Sequence, residues 1–165
     1  METIQLTIDG DTLDRYDAYF FALHPKAHCR QIAHPYHESI NQWMIMKRMQ
    51  MNALKQKWLR FMIWFVGESP YSGLRIKECE LEFMTYYPSN RRHDIDNSVP
   101  KFILDGLCES GLIVDDDYLH IQKITLGCGV DKSRPRTEIT INILAVMPDE
   151  SKEEKTDGKE TGTDG

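Results

Sequence analysis

Polar and apolar residues alternate along four stretches of the chain, and this alternation predicts half-buried β-strands. In the longest stretch Cys79, Leu81 and Phe83 share one face. Leu74 and Ile76 fall in the opposite phase, which predicts either a β-bulge between the two parts or a separate element. The segment "GVDKSRP" between the last two stretches predicts a hairpin loop. The four predicted strands are residues 3–8, 74–87, 121–128 and 136–146.

A helical period replaces the alternation in two segments. Apolar residues recur at intervals of three, four or seven across 38–65, which contains no proline or glycine, and this predicts one long amphipathic helix. A short helix is predicted over 99–110, with Asn97 or Ser98 as its N-cap and Gly111 at its end. The residues expected on its buried side are Phe102, Ile103 and Leu107.

The predicted order of elements is strand, long helix, strand, short helix, strand, strand. Asp9 and Gly10 predict a turn that ends the first strand, and residues 11–37 are less regular. This order predicts an α/β protein with an α+β-like layout. We expect a small mixed β-sheet with the long amphipathic helix and the short helix packed on it.

Length and composition predict one folded domain. With 165 residues, of which 41% are hydrophobic, the chain has enough apolar surface for a core without disulfides or structural metal. After Pro148 no large apolar residue follows. We therefore expect a domain over 1–148 and a disordered acidic tail over 149–165.

The expected compartment follows from the cysteines and the apolar runs. None of the four cysteines belongs to a CxxC pair, which favours reduced thiols in a reducing environment. The chain opens with polar and acidic residues rather than a signal peptide. Its longest purely apolar run, "FMIWFV", is too short to span a bilayer. We expect a soluble, cytoplasmic protein with no membrane partner.

Charge is distributed unevenly along the chain. The net charge is −6, and the tail over 149–165 holds seven acidic and three basic residues. Residues 18–66, in contrast, hold seven basic residues and one acidic residue. A basic surface separated from an acidic centre at 94–117 suits an enzyme that holds a polyanion and uses carboxylates to bind metal. The alternative is an ordinary solvated helix face.

Histidines cluster in residues 24–37, "HPKAHCRQIAHPYH". Their spacing matches no common zinc-ligand pattern. We expect a basic, ring-rich loop that either touches substrate or packs against the domain.

The acidic centre combines two groups of aspartates around the short helix. Asp94 and Asp96 follow the second strand and, in extended backbone, would point to the same side. Two adjacent carboxylates are costly unless a cation neutralises them. Residues 115–117 are a second group, "DDD", and Lys101 lies between the groups in sequence. Carboxylates of this kind suit magnesium or manganese.

Two other interpretations of the acidic centre remain. A calcium-binding EF-hand loop starting at Asp94 would need glycine at the position of Val99, and Pro100 follows it, so that pattern fits poorly. The other interpretation is a set of surface turns and helix caps that are rich in aspartate.

The order of pieces in this region resembles the RusA family of Holliday junction resolvases, which are common in phages and prophages. The pieces are "DIDN", Lys101, "LDGL", Gly111, "LIV" and "DDD", and the resemblance is sharp over 91–118. It implies a RusA-like fold and a homodimeric, magnesium-dependent endonuclease of DNA recombination and repair. Such an enzyme cuts four-way DNA junctions by paired symmetric nicks.

The resemblance also implies roles for individual residues. By position, Asp94, Asp96 and Asp116 would be the catalytic, metal-binding carboxylates, and Lys101 would be the catalytic lysine. Lys101 follows Asp96 by five residues, whereas the family pattern has four, and Pro100 is the extra residue. Phosphate contacts are expected from basic residues on either side of the acidic centre. These are Arg91, Arg92, Lys132, Arg134 and Arg136.

Two further functions stay open at this point. One is a metal-dependent nuclease that acts on other branched DNA or flaps. The other is a junction-binding protein without cutting activity. Cleavage that depends on Asp96 would separate the enzymes from the binding protein.

Overall fold

The computed structural model describes residues 2–150. The acidic tail predicted for 149–165 lies outside this range apart from its first two residues. The helices and strands are β1 (Glu2–Asp9), α1 (Gly10–Leu23), α2 (Ile40–Met44), α3 (Arg48–Gly67), β2 (Ile76–Tyr87), a 3₁₀ helix (Ile95–Ser98), α4 (Lys101–Glu109), β3 (Ile121–Val130) and β4 (Arg136–Val146).

The strands form a mixed four-stranded sheet in the order β1-β4-β2-β3. β4 is antiparallel to both β1 and β2, and β3 is parallel to β2. Alternate residues of β2, including Cys79, Leu81 and Phe83, are buried, as the sequence pattern predicts. The pairing of β2 with β4 shifts register between Ile76 and Cys79, which confirms the predicted bulge. The predicted fold class, a mixed α/β sheet with helices packed on it, is confirmed.

The predicted hairpin between the last two strands is wrong, because β2 lies between β3 and β4. The connecting loop passes the end of β2, where the amide of Asp131 donates to the carbonyl oxygen of Tyr87 at 2.9 Å. β3 is mostly exposed, whereas every second residue from Thr137 to Ile143 in β4 is buried. The more apolar strand therefore occupies the interior position, and β3 takes the edge.

Helix α1 was not predicted, because Asp9 and Gly10 were interpreted as a turn. Asp9 is instead the N-cap, and its Oδ1 accepts a hydrogen bond from the amide of Thr12 at 2.9 Å. Leu13, Tyr16 and Phe20 are buried at helical spacing against the core. A local cap thus starts the helix directly at the end of β1.

The single long helix predicted for 38–65 is two helices, α2 and α3. Lys47 has φ −59° and ψ 145°, an extended conformation that interrupts the helix. A single helix with this apolar spacing would place Met44 on its buried side, but 65% of the Met44 surface is exposed. Trp43 packs against Phe102 instead, with ring centroids 5.5 Å apart. The apolar residues keep helical spacing across the break at Lys47, so the spacing alone does not predict that the helix is interrupted.

The N-cap predicted for the short helix is also different in the structure. Asn97 and Ser98 belong to the 3₁₀ helix, and Pro100 is the N-cap of α4. Because proline offers no side-chain acceptor, a distant residue satisfies the first turn of α4. The amide of Phe102 donates to Nε2 of His37 at 3.1 Å.

The buried side of α4 is as predicted, with Ile103 and Leu107 fully buried. Gly111 ends this segment at φ +80°, a left-handed conformation that glycine adopts without strain. Gly106 brings α4 close to α3, since a Cβ at this position would lie 2.5 Å from the Cβ of Met62.

The helices and one face of the sheet enclose a single apolar core. In the described part of the chain, no helix combines the length and apolar character that crossing a membrane requires. All four cysteines are free thiols. The largest fully buried core side chains include Trp58, Phe61, Phe83, Ile8, Leu13 and Met62.

Candidate functional site

The first acidic group lies beyond the end of β2. Asp94 is extended, with φ −86° and ψ 129°, but Asp96 lies within the 3₁₀ helix. The expectation that extended backbone points both carboxylates to one side is therefore wrong. Asp94 is 59% exposed in its side chain, and its Oδ1 lies 3.7 Å from Nε of Arg92.

A cavity of about 230 Å³ opens beside Asp94. Ser39 and Asn41 from the start of α2 line it together with Arg92 and Asn97. Polar side chains and one carboxylate thus share a solvent-open space at the end of β2.

Lys101 connects α4 to the second acidic group. Its Nζ lies 2.8 Å from Oδ1 of Asp105, one turn further along the helix, and 3.5 Å from Oδ2 of Asp116. The hydrogen bond that Lys101 donates to Asp105 raises the pKa of Lys101, and burial opposes this only in part. Oδ2 of Asp105 also lies 3.7 Å from Nζ of Lys55 in α3. The ammonium of Lys101 is therefore held charged beside Asp116.

The second acidic group is a tight turn closed by its own carboxylates. Oδ1 of Asp115 accepts a hydrogen bond from the amide of Asp116 at 2.7 Å. Oδ1 of Asp117 accepts from the amides of Leu119 and His120 at 3.0 and 3.1 Å and contacts Nδ1 of His120. The hydrogen bond from the His120 ring lowers the pKa of Asp117, and the backbone amides add to the effect.

A group that could hold a metal ion forms in this turn. Among the residues that the structure describes, ligand atoms of Asp115, Asp117 and His120 all lie within 4.8 Å of one another. Asp94, Asp96 and Asp116 are not in this group. Carboxylate oxygens suit magnesium and manganese, whereas imidazole suits later transition metals, so this set of donors does not identify magnesium.

His120 was missed in the sequence. The available signal was its place three residues after Asp117, close enough in a turn for the two side chains to meet. Neither strand nor helix periodicity identifies such a pair, because the contact depends on a turn that forms only in the folded chain.

The basic residues expected to contact DNA differ in their surroundings. Arg91, Arg92 and Lys132 are exposed. Nη2 of Arg134 lies 2.7 Å from Oδ2 of Asp9.

Arg136 has the least exposed side chain of these basic residues that form ion pairs. Its side chain is 14% exposed and pairs with Asp131 at 2.8 Å and Glu138 at 2.9 Å. Its guanidinium carbon lies 3.9 Å from the ring centroid of Tyr86. Hydrogen bonds from Ser133, and then from Arg136, lower the pKa of Asp131 to about 2. Arg136 therefore anchors the loop that crosses β2, which leaves less of it open to a phosphate.

The histidine-rich loop packs on the domain through its last residues. Thr137 donates to the carbonyl oxygen of Pro35 at 2.8 Å. His37 is buried, and both of its ring nitrogens have a partner. Nδ1 contacts the carbonyl oxygen of Glu38, and Nε2 accepts the amide of Phe102 in the first turn of α4. Burial lowers the pKa of His37, so its ring stays neutral and can accept the Phe102 amide. Within 2–150, these histidines form no three-ligand group, and the expectation of packing is met at His37.

Comparison with known proteins adds no family to this description. No protein-family model matches the chain, and no curated protein shows a significant match to it. The likeness over 91–118 therefore rests on the order and spacing of the motif residues.

Proposed function

We propose that the chain is a metal-dependent endonuclease that cuts four-way DNA junctions by paired nicks and acts as a homodimer. One observation carries this proposal. Lys101 and Asp116, 15 residues apart in sequence, come within 3.5 Å of each other at Nζ and Oδ2. The fixed ammonium of Lys101 beside the partly exposed carboxylate of Asp116 is an arrangement that suits phosphodiester cleavage.

Lys101 has a defined part in the proposed reaction. Asp105 holds its ammonium in place and in the charged form. A charged donor that is already oriented stabilises the negative charge that develops on the phosphate or on the leaving oxygen. Asp105 orients the Lys101 ammonium before DNA binds, so little further entropy is lost in orienting it during the reaction.

Magnesium, or manganese in its place, is the proposed cofactor. Asp94, Asp96 and Asp116 are the residues proposed to hold it, and their donor set of carboxylates fits a hard cation that keeps several waters. When bound, such an ion activates water and neutralises charge on the phosphate. The partial exposure of the Asp94 and Asp116 side chains, 59% and 38%, leaves both accessible to a metal ion.

The deciding experiment uses a synthetic four-way junction, a flap and a linear duplex, each with magnesium, with manganese and without metal. Wild-type protein should nick the junction in pairs, and Asp96→Asn should bind the junction without cutting it. Asp11→Asn, which changes an exposed carboxylate on α1, is the matched control and should cut normally. Junction binding without cleavage under either metal would favour the non-catalytic binding protein, and preferred cutting of flaps would favour the other nuclease.

A parallel variant locates the metal. Asp117→Asn removes a carboxylate from the group formed with Asp115 and His120. If Asp96→Asn cuts normally and Asp117→Asn does not, the working ion is bound in the acidic turn, and the assignment to Asp94 and Asp96 is wrong.

A further inference from the structure

A cavity of about 570 Å³ lies between the histidine-rich loop and the segment that follows β2. We call it the ring cavity. Its volume is within the range of about 300–1,000 Å³ typical of sites for small organic groups. Six of the side chains around it carry the argument, and they are His34, Tyr36, Tyr87, Arg91, Arg92 and His93.

The four rings are arranged as two stacked pairs that meet at one edge. His34 stacks on Tyr36 with centroids 5.1 Å apart and planes at 2°. His93 stacks on Tyr87 with centroids 3.6 Å apart and planes at 7°. The two tyrosines meet edge to face at 5.0 Å. The outer ring of each pair is an exposed histidine. Flat ring faces thus border an open space.

The inner rings are fixed by the core of the domain. Tyr87 is 8% exposed as the last residue of β2. The loop that carries Tyr36 is held by the hydrogen bond from Thr137 to Pro35 and by buried His37. A flat group entering the cavity would meet rings that are already ordered, so little conformational entropy is lost on binding.

Charge in the ring cavity favours an anionic ligand. Arg91 and Arg92 are exposed at its border. Glu38 is the acidic lining residue, and its Oε2 accepts a hydrogen bond from the indole of Trp58 at 3.1 Å. Two arginines beside ring faces match the two parts of a nucleotide, a phosphate and a base.

The ring cavity also continues toward the first acidic group. Tyr87, Arg92 and His93 line both it and the smaller cavity that contains Asp94. A strand with one base in the ring cavity would therefore have its next phosphates close to Asp94.

We propose that the ring cavity binds an unpaired base of a DNA strand, stacked on His93 or His34, with the adjoining phosphate at Arg91 and Arg92. The choice of DNA as the ligand rests on the proposed function. The stacking itself follows from the ring geometry. Base pairing keeps bases inside the duplex, so the cavity selects strands with an unpaired base, as at a branch point or an end.

The test measures binding without cleavage. Fluorescein-labelled oligo(dT) and a blunt duplex of the same length are titrated with protein in EDTA, and anisotropy gives both affinities. The variant is His34→Ala with His93→Ala, at two exposed positions where loss of the ring leaves the core intact. His28→Ala, at an exposed position outside the cavity, is the matched control. His93→Tyr keeps a stacking ring and removes the imidazole.

The double variant should lose about fivefold to a hundredfold in affinity for the single strand, the range for losing one or more stacked bases, and keep its affinity for the duplex. His93→Tyr should bind the single strand like wild type. Equal losses on both probes, or failure of His93→Tyr to bind, would overturn the stacking role.

A wild-type protein that does not bind oligo(dT) would also overturn the inference, whatever it does to junctions. Ring-dependent binding of the single strand, together with no magnesium-dependent cutting of any branched DNA, would leave the inference standing and remove only the proposed nuclease.

Discussion

Asp105 lies one helical turn beyond Lys101 in α4, and its Oδ1 is 2.8 Å from the lysine Nζ. The Asp105 side chain is 16% exposed and is also approached by Lys55 of α3. A partly buried carboxylate between two lysines orients the one that points to Asp116. Asp105, the aspartate of the "LDGL" piece, therefore positions the ammonium of Lys101.

Replacing Asp105 with asparagine should slow junction cleavage by about tenfold, the order expected when a catalytic group loses its orientation. DNA affinity should change little, because Asp105 faces the protein. Single-turnover rates and anisotropy on the same junction separate the two quantities. Glu109→Gln, at the exposed end of the same helix, is the control. A loss of affinity with an unchanged rate would contradict the positioning role.

Removing Arg91 and Arg92 together should weaken binding to duplex and junction alike and make it less dependent on salt. Each phosphate contact contributes about −0.9 to the slope of log K against log salt for duplex DNA. We expect the slope to become shallower by about one to two for the double alanine variant. Lys77→Ala with Lys123→Ala removes the same charge from exposed positions elsewhere. If that control gives an equal change, the contacts are general and not local to the arginines.

His37 should make the fold sensitive to mild acid. Burial lowers its pKa from 6.5, so the unfolded chain takes up a proton on this group before the folded protein does. Its contribution to stability is therefore complete above pH 6.5 and is lost as the pH falls from 6.5 toward the folded pKa. One such group gives a slope of at most about 1.4 kcal/mol per pH unit.

Urea unfolding at pH 7.5 and 5.5 measures this sensitivity. The free energy of unfolding of wild type should be lower at pH 5.5 than at pH 7.5. His37→Gln should be less stable than wild type at pH 7.5 and should lose less stability between the two pH values. Exposed His28→Gln should behave like wild type. An identical pH dependence in His37→Gln would show that other groups control acid stability.

Gly106→Ala should destabilise the fold by about 1–3 kcal/mol, the usual cost of overpacking. The added Cβ would lie 2.5 Å from Cβ and Cγ of Met62, so α3 and α4 would have to separate. Gly67→Ala, whose Cβ meets nothing within 4 Å, is the control in the neighbouring helix. Thermal unfolding should show a lower midpoint for Gly106→Ala than for wild type or Gly67→Ala. A midpoint like that of Gly67→Ala would mean that the two helices do not pack this closely.

Much of the fold could be predicted from local periodicity. The four strands and the buried side of α4 follow from alternation and helical spacing, because burial of one face imposes both patterns. Helix α1 could have been found as well, since Asp9 caps it and Leu13, Tyr16 and Phe20 recur at helical spacing. The Asp9-Gly10 pair is typical of a turn, and this pattern argued against a helix that begins there.

The remaining features depend on contacts between distant parts of the chain. β4 pairs with β2 rather than with β3, because the strands compete for the interior of the sheet. No local sequence pattern predicts the outcome of this competition. Likewise, a side chain from residue 37 accepts the Phe102 amide that no local cap could satisfy. In the candidate site, the resemblance over 91–118 implies roles for both Lys101 and Asp116, and the fold places Nζ and Oδ2 of these residues 3.5 Å apart. The pairing of Lys101 with Asp105 follows from i,i+4 spacing in the predicted short helix. The proximity of His120 to Asp117, in contrast, depends on the folded turn.

β4 comes last among the described strands, yet it lies between β1 and β2, and it aligns Ile143 with Glu2 near the start of the chain. During synthesis on the ribosome, both neighbours emerge long before the strand that will join them. Until then β1 has no strand partner and β2 has one unpaired hydrogen-bonding edge, and such edges recruit other chains. A nascent chain that stalls before residue 136 would expose the two edges that β4 covers, and release of β4 closes both.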